Sequence, residues 1–284
     1  MPRPTTWFFV QEQEKQFPAT RISIVQSRAR RGRKAGCDIV PGVDTAAPSH
    51  ERFDRLDALR GMAIIWMAVY HFFFDLNHFR FIQQNFYTDP IWTIQRSYIV
   101  AIFLFCAGFG QAVALHRGQG WPHFWRRWLQ VAGCALLVSV GSWLMFPRSF
   151  ISFGVLHAIA VMLIVMRLSA NWGRALWLVG AVALLLPHFV QSPFFDIRLT
   201  NWVGLVTHKP ITEDYVPLLP WLGVMWWGLA AGQWMLARRP ALVVGAVPSA
   251  LRPLAGLARW SLTIYMLHQP VLIGALLAWI HFTQ

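Results

Sequence analysis

The feature that most constrains this chain is a succession of unbroken apolar runs, each close to the roughly 20 residues that carry a helix across about 30 Å of hydrocarbon. Clusters of Arg, Pro and Gly separate them. The runs are continuous instead of alternating, so they read as helices and not as barrel strands. Their positions are near residues 58–79, 94–115, 128–146, 151–167, 174–190, 216–236 and 258–280. The expected fold class is all-α, a polytopic integral membrane bundle of about seven transmembrane helices. With 56% of residues hydrophobic and only 13% charged, too little polar surface remains to clothe a water-soluble globule.

The net charge of +13 would suit a nucleic-acid partner if it were gathered on one face. Instead the basic residues sit in short loops and in an N-terminal stretch where Arg28, Arg30, Arg31, Arg33 and Lys34 crowd together. Alternate loops carry Arg117, Arg126, Arg127, Arg167, Arg174 and Arg238 without acids, whereas Arg80, Arg96, Arg198 and Lys209 are mixed with carboxylates. The positive-inside rule then expects a cytoplasmic N-terminus in a plasma (inner) membrane, and nucleic acid is not an expected partner. Residues 1–50 read as a disordered basic cytoplasmic tail, and residues 51–284 as one transmembrane domain. The apolar stretch Trp7–Val10 is too short for a signal peptide, so the first long span is expected to serve as the targeting signal. Cys37, Cys106 and Cys134 have no paired spacing, and neither a disulfide framework nor a metal site is expected.

The first span carries the most chemistry. Asp57, Arg60, His71, Asp75 and His78 interrupt an otherwise apolar helix. At about 100° per residue, Arg60 and His71 return to within about 20° of one face, roughly 16 Å apart along the axis. The five form a stripe that must face the bundle interior or a water-filled cleft. One turn beyond His71, Asp75 is placed to orient the imidazole and raise its basicity, as a general base requires. The plainer reading makes Arg60 a positive-inside anchor and His71 a hydrogen-bonder between helices. His157 in the fourth span and His268 in the seventh also lie at midplane depth, and the three imidazoles could converge on one cavity. Ser261, Tyr265 and His268 share a helix face, which Gln269 and a break at Pro270 would widen; tight polar packing explains that face equally well. The longest external loop, 191–215, reads as solvated.

Arginine, ten residues, then histidine in a first span resembles the signature of the acyltransferase family 3 superfamily. Five segments in order resemble its bacterial branch related to heparan-alpha-glucosaminide N-acetyltransferase: Leu56 to Gly61, Tyr70 to Leu76, Ile151 to Ala160, Asp214 to Gly223 and Ser261 to Pro270. The resemblance covers roughly residues 52–281 and implies transfer of an acyl group, usually acetyl from acetyl-CoA, to a sugar-type hydroxyl or amine. The residues expected to carry catalysis are His71, Asp75 and His78. His78 competes with His71 because the active histidine of the related human enzyme lies beyond the first-span signature. Asp57, Arg60, His157, Tyr265 and His268 are expected to bind substrate or acyl-CoA. Acyl-CoA is a donor substrate, and no tightly bound cofactor is expected. The bilayer, acyl-CoA and a glycan or amino-sugar acceptor are the expected partners, with a homodimer left open. The rival class is a multi-histidine transporter or haem-binding redox protein; seven spans do not divide into the matched halves common in transporters.

Overall fold

The computed structural model describes residues 52–145, 147, 150–210 and 214–283, so the expected tail lies outside the described residues. Among these residues the chain forms eight α-helices joined by loops and single 3-10 turns, and no strand beyond an isolated bridge between Phe53 and Gly245. The all-α expectation holds.

Local chemistry sets the helix ends. α1 (Asp54–His78) starts with Asp54 and Asp57 in its first turn, where carboxylates oppose the positive end of the helix dipole. α2 (Pro90–His116) is capped by Asp89, which accepts from the Ile91 N–H at 2.9 Å, with Pro90 at the first helical position. α3 (Trp121–Met145) leads into α4 (Val155–Ser169). α5 (Ala175–Phe189) and α6 (Trp221–Arg238) follow, then a short α7 (Arg252–Ala258) and α8 (Ser261–Thr283). Pro270 sits inside α8 without ending it, so the break expected there is absent.

Five helical segments are long and apolar enough to cross a bilayer: α1, α2, α3, Val155–Trp172 and α8. The expected spans 174–190 and 216–236 are helices, but α5 is a shorter apolar helix of 15 residues. α6 has 18 residues, diluted by four tryptophans and Gln233, and does not join the five. The chain is an integral membrane protein with at least these five candidate spans.

The core centres on α2 and α6. Gly108 faces the Met225 carbonyl and Gly228 the Phe105 carbonyl so closely that a Cβ would lie 2.1 Å and 2.3 Å from those oxygens. This close approach seals Leu104, Cys106, Met225 and Leu229, all fully buried. α4 adds Met162 and Met166, and α5 adds Leu176, to the same cluster. α1 packs on α7, α2 and α8. α3 is tied to α4, where the Trp128 indole N–H donates to the Ala160 carbonyl at 2.8 Å. Between α1, α2, α3, α4 and α8 lies a cavity of about 1140 Å³.

Candidate active site

The first-span stripe lines this cavity along its length, with Asp57, Arg60, His71, Asp75 and His78 all in its wall. At one end Arg60, Arg117, Arg127, Arg167 and Arg259 gather around the mouth. Arg60 reaches Asp57 at 3.4 Å and leans over Gly110, whose Cβ position would be 3.5 Å from a guanidinium nitrogen. Arg167 donates to the Gln119 carbonyl at 2.6 Å and lies over the rings of Trp121 and Phe124. The mouth thus carries far more positive than negative charge, and anionic groups are the ligands it attracts.

Deeper in, His71 of α1 meets His268 of α8, ring centroids 4.9 Å apart in an edge-on contact. Each Nδ1 is held by its own helix: His71 Nδ1 lies 2.9 Å from the Met67 carbonyl, and His268 Nδ1 lies 2.7 Å from the Tyr265 carbonyl. A carbonyl only accepts, so each Nδ1 carries the proton and each neutral ring keeps its lone pair on Nε2. His268 Nε2 is buried with no hydrogen-bond partner. Two basic nitrogens at one depth of a membrane cavity form a site that can take a proton from a bound group.

Where Asp75 was expected to orient His71, a backbone carbonyl holds the ring through Nδ1. Helical side chains lean toward the N-terminus, so the ring reaches the carbonyl one turn back, and the Met67 oxygen fixes it. The Asp75 carboxylate instead accepts from the Gln269 amide at 2.7 Å, which joins α1 to α8 beside the imidazole pair. His78 lines the cavity two turns beyond His71.

His157 departs from expectation more fully. α4 begins at Val155, which places His157 in its first turn. His157 Nδ1 accepts from the Gly154 N–H at 3.2 Å, leaving Nε2–H to donate to Ser139 Oγ at 3.1 Å. Ser139 Oγ donates in turn to the Ile151 carbonyl at 2.7 Å. One ring nitrogen caps α4 and the other ties it to α3, so both are occupied, and His157 is not among the cavity-lining residues. Only two of the three midplane histidines meet. Their edge-on rings, 4.9 Å apart, leave no space for a porphyrin plane between them.

Tyr265 and His268 do line the cavity, together with an acid that sequence reasoning left in an external loop. Asp214 accepts from the Val155 N–H at 2.8 Å and makes a longer contact, 3.5 Å, with the Tyr265 hydroxyl. Removal from water pushes its pKa up from the ordinary carboxylate value, against the pull of the Val155 N–H. Asp214 begins the DYVPLLPWLG segment, and an acid immediately before an apolar span was the signal that could have flagged it.

A family model described as heparan-alpha-glucosaminide N-acetyltransferase, catalytic, matches residues 52–270. No curated protein and no solved structure matches the chain.

Proposed function

This chain belongs to the family of the heparan-alpha-glucosaminide N-acetyltransferase catalytic domain, a family of membrane acetyltransferases, and on that premise we propose that it moves acetyl from acetyl-CoA to a glycan-type amine or hydroxyl. The observation that carries the proposal is one cavity joining a cluster of arginines to an imidazole pair.

In this reading the diphosphate and 3′-phosphate of CoA rest among Arg60, Arg117, Arg127 and Arg259, because guanidinium forks match phosphate geometry. The thioester then extends toward His71. As the acceptor nucleophile attacks the thioester carbonyl, His71 Nε2 takes its proton, the C–S bond breaks, and the departing thiolate recovers the proton to leave as CoA thiol. The Tyr265 hydroxyl is the donor that faces the developing oxyanion, His268 Nε2 stands beside His71 as a second proton acceptor at the acceptor head group, and Asp75 with Gln269 keeps α1 and α8 in register. His78 stands on the acceptor side. Arg60 marks the cytoplasmic end, as the positive-inside rule directs, in the inner membrane. Seven crossings, with α5 and α6 counted, would put the termini on opposite sides. Placement in the acyltransferase family 3 superfamily accords with the Arg60 to His71 spacing.

The test is incubation of purified protein with labelled acetyl-CoA and a panel of amino sugars and envelope glycans, comparing wild type with His71→Ala and His78→Ala. Label transfer lost in His71→Ala supports the assignment. Full transfer in both variants removes it.

A further inference from the structure

Part of the cavity wall is also outer surface of the bundle. Leu137 and Met145 of α3 line the cavity and yet are 63% and 58% exposed, and Pro270 of α8 both lines it and is exposed. At membrane depth such exposure is contact with lipid. Leu137, Gly141 and Met145 recur every fourth residue, so they form one face of α3. Leu262, Met266, Pro270 and Ile273 form one face of α8, and all seven line the cavity. α3 and α8 are the least buried of the long helices, with only Phe124, Ala135 and Leu276 buried between them. The seven residues are apolar, and the cavity they line also holds His71, His268, Gln269 and Ser142.

We infer that α3 and α8 frame a lateral slot through which the acceptor enters from the bilayer, so that the acceptor is an amphiphile: an amine or hydroxyl head group on an apolar chain. The inference rests on the acetyltransferase reading and names its acceptor class. Two substrates need two entrances, and the arginine mouth suits the anionic donor. An apolar chain lying between Leu137, Met145, Met266 and Ile273 loses nothing on leaving lipid, and its head group arrives at the paired Nε2 atoms. A free sugar would have to shed its hydration along the same walls. The polar end of the cavity, by His78, Arg96 and Asp214, is the route a soluble glycan would use instead.

The slot is tested in lipid nanodiscs with glucosamine and dodecyl glucosaminide as paired acceptors, and with a diazirine-bearing alkyl glucosaminide as photolabel. Nothing lies within 4 Å of a Cβ built on Gly141 or on Gly133 of the same helix, and only Gly141 lines the cavity. Gly141→Phe is expected to lower dodecyl glucosaminide turnover relative to glucosamine about tenfold, because the added ring overfills the space the alkyl chain would occupy. Gly133→Phe leaves the ratio unchanged. The label should map to 137–145 and 262–273 and fall in Gly141→Phe. Label spread evenly over the lipid-facing helices, or a turnover ratio that Gly141→Phe does not move, overturns the slot. Site-specific, Gly141-sensitive labelling without acetyl transfer to any acceptor keeps the slot and overturns the acetyltransferase reading.

Discussion

Gly61 closes the LDALRG segment and offers a quantitative test of how α1 is seated. A Cβ built there would lie 2.1 Å from the Leu254 carbonyl oxygen and 2.7 Å from its carbon, both backbone atoms of α7. An ordinary carbon–oxygen contact is roughly 3.3 Å, so Gly61→Ala must part the two helices by about 1.2 Å. No side chain can rotate away to relieve the clash, and overpacking of this kind costs about 1–3 kcal/mol. The same substitution at Gly133 or Gly274, where nothing lies within 4 Å of the added methyl, should stabilise by about 0.5–1 kcal/mol through lost backbone entropy. Opposite signs for one chemical change make the comparison internal. The assay is thermal unfolding in detergent followed by the fluorescence of the 16 tryptophans. At roughly 2–4 °C per kcal/mol, Gly61→Ala should melt several degrees below wild type and Gly274→Ala at or above it. Because Arg60 precedes Gly61 and Arg259 follows α7, the parted helices should also raise the KM for acetyl-CoA. Equal melting of Gly61→Ala and Gly274→Ala would refute the close approach of α1 to α7.

Four further outcomes follow from the site. His71→Ala and His268→Ala should each lower kcat by about 10²–10⁴, and the double variant should be little worse than either alone, because the paired rings act as a unit; multiplied losses would show independent roles. Arg60→Gln should raise the KM for acetyl-CoA about 10- to 100-fold while sparing that for the acceptor, the range expected of a charge-assisted phosphate contact. Gln269→Leu removes the 2.7 Å bond to Asp75 and should destabilise by about 1–3 kcal/mol, with the larger share recovered when Asp75→Asn is added. Burial holds the Asp214 carboxyl above its ordinary 3.8, so the folded chain binds that proton more tightly than the unfolded chain. The stability from this group is complete below 3.8 and declines as pH rises through the raised value. Asp214→Asn, whose amide oxygen still accepts from Val155, should remove that decline in melting curves taken from about pH 4 to about pH 7.

Much of the architecture was legible because apolar run length is a strong signal in membrane chains. The runs at 58–79, 94–115 and 128–146 correspond to α1, α2 and α3. The stripe from Asp57 to His78 was legible too, since helical period alone fixes which residues share a face. What the sequence concealed depends on helix starts and on neighbours distant in the chain. Moving the start of α4 from 151 to Val155 turns His157 from a midplane group into a first-turn cap. Nothing in the spacing of α1 shows that Asp75 meets Gln269, 194 residues away. Five helical segments meet the length and apolarity of a span where seven runs were expected, because α5 is short and α6 is rich in tryptophan.

The joining of α1 to α8 bears on biogenesis. His71 leaves the ribosome on the earliest of these helices, and Tyr265, His268 and Gln269 on the latest. Before α7 and α8 are made, four of the five mouth arginines, Arg60, Arg117, Arg127 and Arg167, are already in the chain, without the second imidazole and without one wall of the slot. On the proposed reading, a half-made chain holds most of the arginines that would gather acyl-CoA but has no complete chamber in which to spend it on water. Insertion of α8 then completes the proposed site, so a lesion in the targeting or docking of this single helix should yield abundant, membrane-inserted and inert protein.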